Sequence, residues 1–263
     1  MNTDRSFAVV TGASSGIGYE LAKQFAENGF DLLVTADDSK INELAPSFEF
    51  FGAKVQTVQA DLAEYEGVEK LIQAIQATGK PVEAIAINAG FGDNGKFTQT
   101  DLQKELKMID LNISSSVHLA KYITQAMEQR RKGRILFTSS IAAMMPGPFE
   151  AVYAASKAFL RSFSQALREE LKDSGVTVTA LMPGPTDTNF FHTANMDDTR
   201  AAASKKDDPA QVAKQGFEAL MAGKDEVVAG SIMNKVQAAV IQAMPEPIKA
   251  AAHRQLSEPG SGN

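Results

Sequence analysis

The chain has 263 residues, 44% hydrophobic and 22% charged, with 26 basic residues against 32 acidic ones and a net charge of −6. These values suit a soluble globular chain with a large core, and the acidic balance speaks against a nucleic-acid binder. With no cysteine, disulfide frameworks, thiolate metal sites and cysteine nucleophiles are excluded.

The start, Met1 to Val10, holds Asp4 and Arg5 and lacks the basic opening and long apolar run of a signal peptide. No run approaches about 18 uncharged apolar residues, so no integral membrane segment is expected and the default location is cytoplasmic. Short apolar runs then alternate with helical patterns. Phe7 to Thr11 reads as a strand, Tyr19 to Asn28 as a helix ending at Gly29, and Asp31 to Thr35 and Val55 to Gln59 as strands. A helix over Val68 to Thr78 precedes a strand over Ala84 to Asn88, and an interrupted helix runs from Asp101 to Met127. Next come a strand over Arg134 to Ser139, a long helix over Val152 to Asp173 and a strand over Val176 to Leu181. Asp208 and Pro209 open a helix to Ala222, and Glu226 to Ala229 is a short last strand. Residues 232–256 read as a helical extension, and the polar tail 257–263 is expected to fray.

Nearly all-apolar strands separated by helices predict an α/β fold. It is a three-layer, Rossmann-type, doubly wound parallel sheet of about seven strands with helices on both faces, as one domain over residues 1–263.

The first strand runs into Thr11-Gly12-Ala13-Ser14-Ser15-Gly16-Ile17-Gly18 and then a helix. Glycines allow a sharp turn and a close approach to a diphosphate, and the helix N-terminus offers free N–H groups to it. The same residues also match Gly-x-Ser-x-Gly, the nucleophile elbow of α/β-hydrolases, with His118, His192 and His253 as candidate bases. That reading lacks an earlier strand to build the oxyanion loop and leaves Gly18 unexplained. After the second strand, Asp37 either accepts ribose hydroxyls or, with Asp38, caps a helix starting near Ser39. In the first case it would repel a 2′-phosphate, with Lys40 the nearest offset. Asp61 either touches an adenine edge or caps the next helix. Tyr153 and Lys157 lie four apart on one helical face, where an ammonium would lower the phenol's pKa and fit it for proton transfer. Ser140 follows the fifth strand and Asn88-Ala89-Gly90 ends the fourth, both where ligands bind in open α/β sheets. Asn112 is a polar residue in an apolar helix and needs partners.

In this order and spacing the motifs resemble the short-chain dehydrogenase/reductase family in its compact form, from Thr11 to about Thr188. The resemblance implies an NAD(P)-dependent oxidoreductase interconverting a ketone or aldehyde and an alcohol. Tyr153 would be the general acid–base, Lys157 its partner and a ribose ligand, Ser140 the holder of the substrate oxygen, with Ser139 as its alternative, and Asn112 part of a water relay. Gly12, Ser14, Ser15, Gly16, Ile17, Gly18, Asp37, Asp61, Leu62, Asn88, Ala89, Gly90, Pro183, Gly184, Thr186 and Thr188 would line the cofactor site, together with Tyr153 and Lys157. NAD is favoured over NADP, because Asp37 is acidic and Ser15 is not basic; many NAD-using relatives carry the Asp one position earlier, at Ala36. No metal is implied.

Residues 189–222 would cover an apolar substrate, with Met145, Phe149, Phe190 and Phe191 as candidate contacts. The long helix resembles the one that pairs across a dimer in that family, which implies a homodimer or homotetramer. A non-catalytic dinucleotide-binding protein is the alternative, since fold alone does not fix function.

Overall fold

The computed structural model of the chain describes residues 5–262. Met1–Asp4, part of the start read above, and Asn263, the end of the expected tail, lie outside them. The chain opens with β1 (Ser6–Thr11), α1 (Gly16–Glu27), β2 (Phe30–Ala36), a 3-10 turn at Ser39–Glu43, the short α2 (Ala45–Glu49) and β3 (Val55–Gln59). It continues through α3 (Tyr65–Ala77), β4 (Val82–Ile87), α4 (Leu102–Ile109), a π-helical turn over Asp110–Ser114, α5 (Ser115–Arg130) and β5 (Gly133–Thr138). A 3-10 turn at Ile141–Met144 leads to α6 (Ala151–Glu170), β6 (Val176–Pro183) and the single turns α7 (Phe190–Thr193) and α8 (Arg200–Ala203). Then come α9 (Pro209–Met221), β7 (Glu226–Ala229), α10 (Ile232–Ala243) and α11 (Glu246–Ser257).

The seven strands form one parallel sheet in the order 3-2-1-4-5-6-7. Alternation along β1 explains why both faces are covered. Phe7 and Val9 join one core with Leu33, Ile85, Ile135 and Phe137, against Leu71, Leu119 and Leu160 of α3, α5 and α6. Ala8 and Val10 join the other with Leu32, Val34 and Leu136, against Phe25 of α1 and Phe217 of α9. Phe25 meets Phe30 and Phe217 edge-on, each at 5.2 Å, which clamps both helices to the sheet. The order reverses at β1, which has β2 on one side and β4 on the other. Crossovers from these strands pass to opposite faces, so a crevice opens at their C-terminal ends.

The helical extension over residues 232–256 is two helices, because Pro245 stands as the N-cap of α11 and cannot continue the ladder of α10. Two stretches differ from the sequence reading. The short α2 has no predicted counterpart; Pro46 in its first turn is its helix-start signal. Residues 258–262, expected to fray, are tied back instead. Asp198 takes the Gly260 N–H on its carboxylate and the Gly262 N–H on its carbonyl, both at 2.8 Å, and Arg200 Nε donates to the Ser261 carbonyl at 3.1 Å. Among the described residues no helix is long and apolar enough to cross a membrane.

Candidate active site

A cavity of about 600 Å³ occupies the crevice and reaches from the Gly12–Gly18 turn to α11. Gly12 stands at φ +66°, and a side chain there would come within 2.9 Å of the Ala89 backbone. A Cβ on Gly18 would lie 2.0 Å from the Gly12 carbonyl oxygen. The turn is therefore pressed against the end of β4. Asn88 staples that junction: its N–H donates to the Thr11 hydroxyl at 2.9 Å, its Nδ2 donates to the Thr11 carbonyl at 3.1 Å, and its Oδ1 accepts from the Thr138 hydroxyl at 3.0 Å. Ser15 is the N-cap of α1 and makes no side-chain cap, so the first-turn N–H groups of Gly16, Ile17 and Gly18 have no capping partner there. Uncapped donors, a close-packed glycine turn and the helix dipole fit the diphosphate of a dinucleotide.

At the end of β2, Asp38 rather than Asp37 does the capping. It accepts from the Lys40 N–H at 3.0 Å and from the Ser14 hydroxyl at 2.5 Å. Asp37 is exposed and its carboxylate makes no hydrogen bond or ion pair among the described residues, Lys40 included. Asp61 accepts from the Ala63 N–H at 3.0 Å and pairs with Lys107 at 2.8 Å, beside buried Leu62. Its turn-capping role is thus filled.

The proton-transfer groups cluster under the other half of the cavity. Tyr153 and Lys157 are buried on α6, and the Lys157 ammonium donates to the Thr138 carbonyl at 3.0 Å, 5.8 Å from the centre of the Tyr153 ring. Ser140 borders the cavity beside the phenol, and its hydroxyl accepts from the Ala142 N–H at 3.1 Å. Ser139 instead donates to the Lys157 carbonyl at 2.7 Å, which leaves Ser140 as the serine presented to the phenol.

The expected lowering of the phenol pKa by Lys157 does not occur in this arrangement. Burial pushes Tyr153 well above its ordinary value, Glu150 adds to the rise, and only the nearby Ser140 hydroxyl opposes it. Burial also pulls Lys157 down to about 8. Both groups lose water, so each favours its neutral form.

Asn112 does not line the cavity. It lies in the π turn, fully buried, with Nδ2 donating to the Phe91 carbonyl at 3.0 Å and the Ser156 hydroxyl at 2.9 Å, while Oδ1 accepts from the Phe91 N–H at 3.1 Å. Its carboxamide holds the loop after β4 against α6, and its carbonyl accepts from Ser116 at 2.9 Å.

The predicted cofactor residues all border the cavity: Gly12, Ser14, Ser15, Gly16, Ile17, Gly18, Asp37, Asp61, Leu62, Asn88, Ala89, Gly90, Pro183, Gly184, Thr186 and Thr188, with Tyr153 and Lys157. On the substrate side Met145, Phe190 and Phe191 border it, and the Phe190 ring lies 5.2 Å from that of Tyr153. Phe149 does not. Its φ of +67° turns its ring to Arg254, 5.6 Å away, instead of into the pocket. The sequence reading missed Glu150, Leu256 and Ser257 as cavity residues and did not place His253 on the cavity. The spacing of Glu150, one helical turn before Tyr153, is the signal that would have found it. The hydrolase reading fails. Ser14 faces Asp38, whereas His118, His192 and His253 pair with Glu69, Asp197 and Glu150.

The comparisons agree with this geometry. A family model described as short chain dehydrogenase matches residues 6–199. A very-long-chain 3-oxoacyl-CoA reductase of Mycosarcoma maydis is 33% identical over 228 residues, covering 83% of this chain; the chain spans 62% of that relative's length. A short-chain dehydrogenase of Sphingobium yanoikuyae, solved with NADPH, has the same fold at a TM-score of 0.80 and 24% identity, covering 92% of this chain and 97% of that one. A family member from Burkholderia phymatum solved with NAD matches at 0.80 and 23%, covering 92% and 93%.

Proposed function

The chain belongs to the short-chain dehydrogenase family and is an oxidoreductase of it, and from that premise we propose that Tyr153 exchanges a proton with a ketone or secondary alcohol while hydride passes between that carbon and a nicotinamide ring. The observation that carries this reading is the placement of buried Tyr153, Ser140 and Lys157 on the same cavity as the uncapped glycine turn. When bound, the nicotinamide cofactor supplies or accepts the hydride. The protein's own part is positioning and proton transfer. The first turn of α1 would hold the diphosphate, and Pro183, Gly184, Thr186 and Thr188 would border the nicotinamide end. Ser140 holds the substrate oxygen, and Tyr153 gives or takes its proton. Lys157 stands behind the phenol, and Asn112 positions the loop of Phe91. A pure dinucleotide binder has no use for this second cluster.

Asp37 supports NAD. It is free to accept both ribose hydroxyls, whereas a 2′-phosphate there would meet a like charge worth about 4 kcal/mol at 4 Å and an effective dielectric near 20. Turnover of a ketone and alcohol panel, followed by nicotinamide absorbance with NADH and NADPH side by side, tests both points. No turnover with any member overturns the reading. Asp37→Arg is expected to move the kcat/KM ratio toward NADPH by about tenfold or more. An unchanged ratio would remove the argument for NAD.

The pocket wall of Met145, Phe190, Phe191 and Met196 suits a largely apolar substrate. The exposed Leu102 and Leu106 of α4 and Phe159 of α6 support a homodimer, and a monomer mass by light scattering would exclude it.

A further inference from the structure

Three residues before Tyr153, the Glu150 side chain borders the same cavity and has no task in the reaction proposed above. Glu150 and His253 are both buried, one at the start of α6 and the other on α11. The contacts of the carboxyl fall on one oxygen. Oε2 accepts from the Ser257 hydroxyl at 2.5 Å and lies 3.4 Å from His253 Nε2. Oε1 takes no hydrogen bond among the described residues.

A buried carboxyl opposes folding unless its oxygens are used. This one also works against the phenol, whose pKa it raises. Fastening α11 does not require it, since Asn94 Nδ2 already donates to the Ser257 carbonyl at 2.8 Å. A half-used carboxyl on a mostly apolar wall is the signature of a group waiting for a donor. Glu150 is the N-cap of the helix that carries Tyr153 and lines the same cavity, so that donor lies on the part of the substrate that shares this cavity with the reacting oxygen.

We propose that Glu150 is a substrate-specificity residue. Its free Oε1 accepts a hydrogen bond from a hydroxyl that the substrate carries away from the reacting carbonyl, so hydroxyketones and the matching diols are selected over their deoxy analogues. This rests on the carbonyl–alcohol reading above. Burial raises the carboxyl to a pKa of about 7, against the pull of the Ser257 hydroxyl. It therefore carries only part of a charge at neutral pH, which suits a neutral hydroxyl better than an ammonium group.

The test measures kcat/KM, with saturating nicotinamide cofactor, for matched ketones with and without a hydroxyl at graded spacing. The proteins are the wild type, Glu150→Met, Glu150→Gln and Ser257→Ala. The wild type is expected to prefer the hydroxylated partner about tenfold or more at one spacing. Glu150→Met loses that preference, chiefly through KM. Glu150→Gln keeps an acceptor and retains part of it, and Ser257→Ala, which loosens α11 but leaves the carboxyl, keeps it. Equal erosion in Glu150→Met and Ser257→Ala would make Glu150 a latch and overturn the proposal. So would a wild type without preference at any spacing, a result that decides the matter even if Glu150→Met does not fold. Turnover of no carbonyl compound at all would overturn the parent reading instead.

Discussion

Tyr153→Phe is expected to lower kcat about 10²–10⁴-fold while leaving nicotinamide cofactor affinity within a factor of about two. The substitution removes one hydroxyl and nothing else. The ring keeps its packing 5.2 Å from Phe190, and the glycine turn that would hold the diphosphate is on the far side of the cavity. What disappears is the phenol hydroxyl on the cavity wall beside Ser140, and with it the proton that the substrate oxygen needs. Ser140 remains as a polar contact but is not a proton reservoir, because a serine hydroxyl does not ionise near neutral pH. The split between an abolished kcat and an intact cofactor titration separates loss of chemistry from loss of fold. A Phe variant with more than a third of wild-type kcat would refute the role given to Tyr153.

Gly18→Ala is expected to weaken dinucleotide binding at least tenfold and to destabilise the fold by about 1–3 kcal/mol. The new methyl would sit 2.0 Å from the Gly12 carbonyl oxygen and 2.5 Å from Asn88 Nδ2. The first of these is backbone and cannot swing away. Either α1 tilts off the end of β1 or the turn opens, and both movements displace the N–H groups of Gly16 and Ile17. The second neighbour carries the damage further, because Asn88 also holds Thr11 and Thr138. Thermal melts with and without NADH measure both parts. Equal shifts of Tm by saturating NADH in wild type and variant would show that the turn tolerates the methyl.

The sheet was legible because its strands are short, its central ones are apolar on both faces, and turns punctuate them. β1, β3 and β7 fall within a residue of their expected limits. The catalytic group was legible for a different reason: Tyr153 and Lys157 are neighbours by helix geometry alone, and Ser140 follows a strand end. The wall opposite was not. Glu150 meets Ser257 across 107 residues of sequence, and no local pattern encodes that meeting. Phe149 was misplaced because hydrophobicity says that a side chain is buried but not where it points; its left-handed backbone decided that. The charge states of Tyr153 and Lys157 were also beyond the spacing argument, which counts charges but not the water they have lost.

The π turn over Asp110–Ser114 gives the helix an extra residue within one turn, and the hydroxyls of Ser115 and Ser116 take up the carbonyls of Leu111 and Asn112 there. Each residue turns a helix by about 100°. Deleting Ile113 would let α4 and α5 run on as one regular helix with better backbone bonding, and would rotate everything on one side of the deletion by that angle. The Leu119–Ile123 face would then leave the sheet, or Asn112 would leave Phe91 and Ser156. A change that repairs the local helix would dismantle the site, so this stretch has a fixed length whatever side chains it carries.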